Sequence, residues 1–183
     1  MPDPLRHPPA PERTLALLSL SEQVQAMPPV MRHILRGGPD VRAAAEKAFG
    51  CPVPATPCRA AIEGERAALW LGPDEWLLIA PESQACDELG AALKDLPHSL
   101  VEISHRQIAL CVLGPQAGML LASGCPLDLD ENAFPVGMCT RTMCAKAEIV
   151  LWRPAEQVFR VEVWRSFAAY LTQFLAEAAR GMI

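Results

Sequence analysis

One frame occurs twice in this chain, and the repetition restricts the fold more than any other sequence feature. Gly38-Pro39 precedes an amphipathic stretch that ends at Gly50-Cys51-Pro52. Gly114-Pro115 precedes a shorter stretch that ends at Gly124-Cys125-Pro126. Proline at the first position of a helix loses no hydrogen bond, so each copy predicts a helix that starts at its Gly-Pro pair. Gly50 is predicted to end the first helix in a left-handed cap.

A strand pair follows each predicted helix. Residues 69–76 match residues 151–156 with one residue deleted, and each segment is predicted to lie at the tip of its pair. Along residues 159–163, Phe, Val and Val alternate with Arg and Glu, which predicts a strand with one buried face. Pro154 suits a tight turn, so residues 153–156 are predicted to join the two arms.

Each strand pair leads into a second amphipathic helix, predicted over about residues 82–96 and from an N-cap at Ser166 to Gly181. The apolar face of the later helix is predicted to consist of Phe167, Tyr170, Leu171, Phe174 and Leu175. Further strands are predicted over residues 14–20, 30–36 and 99–104.

The order strand, helix, strand, strand, helix predicts an α+β fold of two ferredoxin-like βαββα halves, with antiparallel sheets and helices on one face. We expect one domain over residues 14–183, with halves of about 14–104 and 105–183. Residues 1–13 hold five prolines and are predicted to form a disordered arm.

Charge and cysteine content limit the function classes. The 183 residues carry a net charge of -5 with scattered basic residues, which argues against nucleic-acid binding. Neither a signal-peptide pattern nor a long apolar run is present, so we expect a cytoplasmic protein without a membrane span. The seven cysteines lie in apolar segments and are an odd number, which indicates buried free thiols in a reducing compartment.

No coherent reaction centre emerges from the motifs. Cys139 and Cys144 are five residues apart, so on a strand they face opposite ways and cannot share a metal ion. Ser104 and His105 are strand neighbours, so the imidazole cannot activate the adjacent hydroxyl. The acidic segment 128–131 is predicted to be a solvated loop, and phosphate-binding glycine motifs are absent. We therefore predict no catalytic, cofactor-binding or metal-binding residue.

The four tryptophans, Trp70, Trp76, Trp152 and Trp164, are predicted to brace the two hairpins. Stacking of one of them on a pterin or flavin ring is the alternative.

Several segments together resemble the gamma subunit family of heterotetrameric sarcosine oxidase, over about residues 30–180. The segments are LGPDEWL at 71–77, SHRQ at 104–107, GCPLDL at 124–129, FP at 134–135, CTRT at 139–142, KAEIVLWR at 146–153 and FRVEVWRSF at 159–167. The resemblance implies a fold similar to that of the folate-binding aminomethyltransferases, in agreement with the duplicated halves.

The resemblance also implies a non-catalytic subunit of a complex that oxidatively demethylates sarcosine to glycine. In that family the one-carbon unit passes to tetrahydrofolate or leaves as formaldehyde, and hydrogen peroxide is formed. FAD, FMN, NAD and zinc are expected in the partners, which are the alpha, beta and delta subunits, with the large alpha subunit as the main contact. Neither nucleic acid nor a membrane is an expected partner.

Arginine is enriched at protein interfaces, and this guides the prediction of partner contacts. The predicted contacts are His105, Thr140, Arg141, Thr142, Arg153, Arg160 and Arg165. Two alternatives stay open: a stand-alone folate-binding or one-carbon transfer module, and the equivalent subunit of a related N-methyl amino acid oxidase or dehydrogenase.

Overall fold

Ten strands and four helices make up the described part of the chain. The computed structural model describes Leu18, residues 21–81 and residues 84–182. The strands are β1 (Val24–Ala26), β2 (Met31–Gly37), β3 (Ala60–Glu63), β4 (Arg66–Gly72), β5 (Glu75–Ala80), β6 (His98–Glu102), β7 (Gln107–Leu113), β8 (Cys139–Cys144), β9 (Ala147–Ala155) and β10 (Val158–Trp164). The helices are α1 (Pro39–Phe49), α2 (Gln84–Leu93), α3 (Ala117–Ala122) and α4 (Arg165–Arg180).

The predicted arm over residues 1–13 lies outside the described residues, as does the predicted strand over residues 14–20 except for Leu18. That leucine is partly buried against the core of the second half.

The two antiparallel sheets of the described residues have the same internal order. The first sheet runs β3-β4-β5-β2-β6, and the second runs β8-β9-β10-β7-β1 when read from β8. The duplicated α+β prediction is therefore confirmed, with one difference in chain path. The position that β6 fills in the first sheet is filled in the second by β1, which pairs with β7.

The elements stack in four layers around three cores. Helices α1 and α2 cover one face of the first sheet, in a core that contains Leu35, Phe49 and Leu89. Helices α3 and α4 cover one face of the second sheet, where Leu120 and Leu171 are buried. The remaining faces of the two sheets pack on each other through a third core. Each sheet thus has its helices on one face, and the two halves are joined sheet to sheet.

Helix ends show where local patterns held and where they failed. Gly50 has φ 64 in a left-handed cap, and its N–H donates to the carbonyl of Glu46, as the sequence predicts. The predicted N-cap at Ser166 is wrong, because α4 already begins at Arg165 and the preceding residue makes no side-chain cap. Trp164 is still paired with Gln107 in β10, so the chain passes directly from strand to helix.

The hairpin turn predicted at residues 153–156 is also misplaced. Strand β9 continues to Ala155, and Arg153 and Pro154 lie opposite Phe159 in a bulge between the Trp152 and Ala155 pairings. A bulge tolerates proline because a ladder hydrogen bond is already lost there. The first half has a matching irregularity just after Trp70, so the sequence echo marks two bulges.

Candidate functional site

A buried ionic network joins the two sheets. Glu162 on β10 and Arg32 on β2 have side chains that are 1% and 2% exposed, and Arg32 Nε lies 2.6 Å from Glu162 Oε2. Arg160 Nε donates to Glu162 Oε1 at 2.8 Å, and the Arg32 backbone N–H donates to Ser104 Oγ at 2.9 Å. Both oxygens of this carboxylate are occupied by arginines. The network is therefore suited to holding the halves together and not to proton transfer.

A small cleft of about 50 Å³ lies beside this network, between the sheets. It is lined by Ile34, Leu71, Leu77, Arg106, Gln107, Arg141, Glu148, Ile149, Val150, Glu162 and Trp164, and we call it the inter-sheet cleft. Arg106 Nε and Gln107 Oε1 are buried and have no hydrogen-bond partner among the described residues. The Arg106 guanidinium carbon lies 4.6 Å from the centre of a Trp164 ring. Two polar atoms of cleft-lining residues are thus unsatisfied within the described part of the chain.

Next to the cleft, aromatic side chains are exposed at a spacing of three residues where β10 passes into α4. Trp164, Phe167 and Tyr170 are 40%, 42% and 39% exposed, and we call them the α4 aromatic stripe. Phe167 and Tyr170 lie on one side of α4, because residues three apart in a helix share a side, and Trp164 precedes them as the last residue of β10. Exposed aromatic side chains grouped in this way are typical of protein-binding surfaces, because they bury large areas with little loss of side-chain entropy.

Most of the chain matches one known protein family. The sarcosine oxidase, gamma subunit family matches residues 36–181. The chain belongs to this family.

Curated relatives carry the same description. The chain is 39% identical over 118 residues to sarcosine oxidase subunit gamma of Corynebacterium sp. (strain P-1), a match that covers 64% of this chain and 58% of the relative. It is 38% identical over 136 residues to the Arthrobacter sp. subunit gamma, with 74% and 66% covered. The matched segment thus spans somewhat less than two thirds of these relatives.

Solved structures agree with the family. A chain of heterotetrameric sarcosine oxidase from Corynebacterium sp. U-96, in complex with pyrrole 2-carboxylate, is 30% identical with a TM-score of 0.82, and 95% of this chain and 94% of that chain are covered. Glycine cleavage system aminomethyltransferase T from Bartonella henselae is 14% identical with a TM-score of 0.64, over 89% of this chain and 47% of that chain. The second likeness concerns the fold alone.

Three of the predicted contact residues of this family member lie on β8, an edge strand of the second sheet. Thr140 and Thr142 are half-buried, and Arg141 is exposed. Arg141 lines the inter-sheet cleft and pairs through Nη2 with Glu75 Oε1 of the first sheet. The hydrogen bond from Arg141 is the main cause that lowers the pKa of Glu75, and the charge of Arg36 adds to it.

Two more predicted residues adjoin the cleft along the chain. His105 is exposed in the turn before β7, next to Arg106. Arg165 is half-buried at the start of α4, and its backbone N–H donates to the carbonyl of Arg106 at 2.8 Å. The structure therefore brings His105, Arg141 and Arg165 to the same end of the molecule as the cleft.

Arg153 and Arg160 are placed differently. The Arg153 residue is 7% exposed, and its guanidinium donates to the carbonyls of Phe134 at 2.9 Å and of Glu156 at 2.6 Å. The Arg160 side chain is 11% exposed and belongs to the Glu162 network. Both guanidinium groups are used within the chain, so we do not carry these two residues into the proposed contact surface.

Sequence reasoning missed the centre of this surface. Phe167 and Tyr170 were predicted to share the buried face of α4, whereas the buried residues of that helix are Ala168, Leu171, Thr172 and Leu175. Trp164 was predicted to brace a hairpin and is exposed instead, although Trp76 is buried and donates through Nε1 to the carbonyl of Pro54 at 2.7 Å. The sequence signal that could have shown this is the width of the apolar face of α4, since apolar residues cover more of the helix surface than one buried face requires.

The cysteines and acidic residues offer no alternative site within the described residues. No group of three or more His, Cys, Asp or Glu side chains there is placed to hold a metal ion. Burial raises the pKa of Cys51 to about 11 and of Cys139 and Cys144 to about 12, so these thiols stay protonated. Asp128, Asp130 and Glu131 are exposed, and hydrogen bonds from Asn132 lower the pKa of Asp130.

No helix among the described residues combines the length and the apolar character that crossing a bilayer requires.

Proposed function

We propose that this chain is the gamma subunit of a heterotetrameric sarcosine oxidase and acts in it as an interaction subunit. The observation that carries the proposal is the 0.82 TM-score to a chain of such a complex, with nearly the full length of both chains covered. The family match over residues 36–181 supports it independently.

In this proposal the chemistry takes place in the partners. The complex demethylates sarcosine oxidatively to glycine, passes the one-carbon unit to tetrahydrofolate or releases formaldehyde, and forms hydrogen peroxide. FAD, FMN, NAD and zinc are bound by the alpha, beta and delta subunits, and the assembly is cytoplasmic. This chain docks mainly on the large alpha subunit.

The geometry of the chain suits that role. The Arg32–Glu162–Arg160 network and the inter-sheet core fix the two halves relative to each other, which gives a rigid body for docking. A rigid surface loses less entropy on association than a mobile one. The proposed contact surface is the α4 aromatic stripe together with His105, Thr140, Arg141, Thr142 and Arg165.

Co-expression tests the proposal. The chain is produced with the alpha, beta and delta subunits of its own organism, purified through a tag on this chain, and analysed by size-exclusion chromatography with absorbance at flavin wavelengths. We expect one complex that contains all four chains and flavin. Elution of this chain alone, with the other three assembled without it, would contradict the proposal.

Calorimetry with tetrahydrofolate separates this role from a stand-alone folate-binding module. We expect no heat of binding from the isolated chain. The inter-sheet cleft, at about 50 Å³, is far below the roughly 300–1,000 Å³ of pockets that enclose ligands of drug size. Saturable heat with one site per chain would favour the folate-binding module.

A further inference from the structure

We infer that the inter-sheet cleft receives a side-chain carboxamide, from an asparagine or glutamine of the subunit that docks on this chain. The inference rests on the proposed function and names the chemistry by which the docking surface recognises its partner. It starts from the two buried polar atoms of the cleft that lack partners within the described residues, Arg106 Nε and Gln107 Oε1.

The two atoms require opposite hydrogen-bonding groups. Arg106 Nε carries a hydrogen and needs an acceptor, whereas Gln107 Oε1 is an acceptor and needs a donor. Gln107 is only 8% exposed, so bulk water has little access to it. A carboxamide presents a carbonyl oxygen and an NH₂ group side by side. One such group therefore offers each of the two atoms the kind of partner that it lacks.

The charges around the cleft favour a neutral group over a carboxylate. Arg141 is paired with Glu75, and the Glu162 carboxylate is held by Arg32 and Arg160. Glu148 adds a further carboxylate to the lining. A partner carboxylate would attract Arg106, but it would also lie close to Glu148 and would set an acceptor against Gln107 Oε1. A carboxamide meets neither penalty.

The volume of the inter-sheet cleft also suits a single side-chain group. One water molecule needs roughly 10–15 Å³ of a cavity measured in this way, so a cleft of about 50 Å³ accepts the end of a side chain and excludes a whole cofactor. The apolar part of the lining, which includes Ile34, Leu77 and Val150, would contact the carbon atoms of the inserted group.

The cleft opens beside the α4 aromatic stripe, which sets how the partner would approach. Arg106 stacks on Trp164, so one residue of the stripe also forms the wall of the cleft. A partner element that covers Trp164 and Phe167 would exclude water from the cleft, and hydrogen bonds strengthen when water is excluded. Binding hot spots in protein interfaces usually have this form, in which apolar side chains surround a contact and exclude water from it.

The test compares stability and assembly in the same variants. Gln107→Leu replaces a buried unpaired acceptor with an apolar side chain of similar size, so the isolated chain should unfold at the same temperature as wild type or a higher one. In the complex the same change leaves the partner's NH₂ group unpaired. We expect the affinity of the chain for the other three subunits to fall about tenfold to a hundredfold.

Two further variants complete the design. Arg106→Lys keeps the positive charge but removes the Nε–H, and we expect at least a fivefold loss of affinity if the hydrogen bond matters. Gln157→Leu is the matched control, because Gln157 is exposed in the turn between β9 and β10, away from the cleft lining. This control should assemble with wild-type affinity.

The outcomes separate the inference from the proposed function. If wild type, Gln107→Leu and Arg106→Lys all assemble with equal affinity, the cleft holds water only and the inference is overturned while the subunit role stands. If wild type itself does not assemble, the proposed function fails and the inference fails with it. Protection of the backbone amides of residues 105–108 from hydrogen exchange on assembly would support the inference.

Discussion

The two halves share one frame, and they differ where the molecule meets its surroundings. Both have the same lateral order of strands and two helices on the outer face of the sheet. Yet α4 and Trp164 just before it expose three aromatic side chains, and the described part of the counterpart helix α2 contributes only leucines to the core. The duplicated frame explains the architecture. The departures from it, α4 above all, mark the surface that we assign to a partner.

The Gly-Cys-Pro repeat shows how one motif serves two physical needs. Gly50 has φ 64, a left-handed conformation that side chains disfavour. Gly124 has no such φ, but a Cβ atom there would lie 2.7 Å from Phe174 Cε1 and 2.9 Å from the Ala145 nitrogen. The first glycine is needed for backbone conformation, and the second is needed for close packing.

The largest expected effect comes from breaking the join between the halves. Glu162→Gln keeps the shape of the side chain but leaves Arg32 and Arg160 without a counter-charge in a site that is 1% exposed at residue 162. We expect the free energy of unfolding to fall by about 3–5 kcal/mol, measured by urea denaturation. Glu177→Gln, in an exposed pair with Arg180, is the control and should cost less than about 0.5 kcal/mol. Equal stability of the two variants would mean that the network does not join the sheets.

A medium effect tests the two glycines against each other. Gly124→Ala should cost about 1–3 kcal/mol through overpacking against Phe174 and Ala145. Gly50→Ala should cost about 1–2 kcal/mol through its left-handed backbone.

Asparagine distinguishes the two causes, because it tolerates the left-handed conformation but is larger than alanine. Gly50→Asn should therefore be milder than Gly50→Ala, and Gly124→Asn should be at least as damaging as Gly124→Ala. Thermal unfolding of the four variants measures this, and the same ranking at both sites would refute the distinction.

Local patterns predicted the frame well, because caps, amphipathic spacing and strand alternation act over a few residues. The turn prediction failed because Pro154 suits a turn and a bulge equally, and the register between β9 and β10 decides between them. Strand β1 was not predicted, and the reason is non-local, since its pairing with β7 joins segments more than eighty residues apart, Val24 with Val112.

The site was less accessible to sequence reasoning than the fold. The apolar spacing of α4 does not show which of two adjacent sides faces the core, so Phe167 and Tyr170 were placed inside. The cleft needs Gln107, Arg141 and Trp164 from three strands together. His105, Arg141 and Arg165 were chosen for residue type alone, and the structure places them beside the cleft without testing their contacts.

A smaller effect compares one buried thiol from each half under alkaline conditions. Burial raises the pKa of Cys51 to about 11 and of Cys144 to about 12, above the ordinary value of 9.0. The folded state keeps a proton that the unfolded chain releases, so this stability is complete below pH 9 and is lost as the pH rises toward the folded pKa.

Each thiol should add about 1.4 kcal/mol per pH unit to the loss of stability within its window. Cys51→Ala and Cys144→Ala should each flatten the fall between pH 9.5 and pH 10.5 by about that amount, measured by urea unfolding with reductant present. A slope unchanged by either substitution would show that the thiols are accessible to water in the folded state.

The smallest effect concerns the exposed bridge between the halves at the rim of the cleft. Arg141 of β8 is 39% exposed and pairs with Glu75 of β5, so Arg141→Gln should cost only about 0.2–1 kcal/mol at pH 7. The pKa of Glu75 is lowered from its ordinary 4.5 chiefly by the hydrogen bond from Arg141. This contribution is therefore present above pH 4.5 and is lost as the pH falls through the folded pKa, so the free energies of unfolding of variant and wild type should converge in acid.

Arg36→Gln, which removes a contact of 3.8 Å to the same carboxylate, should lower the free energy of unfolding by less. A loss from Arg141→Gln as large as that from Glu162→Gln would mean that the rim of the cleft, and not the buried network, holds the sheets together.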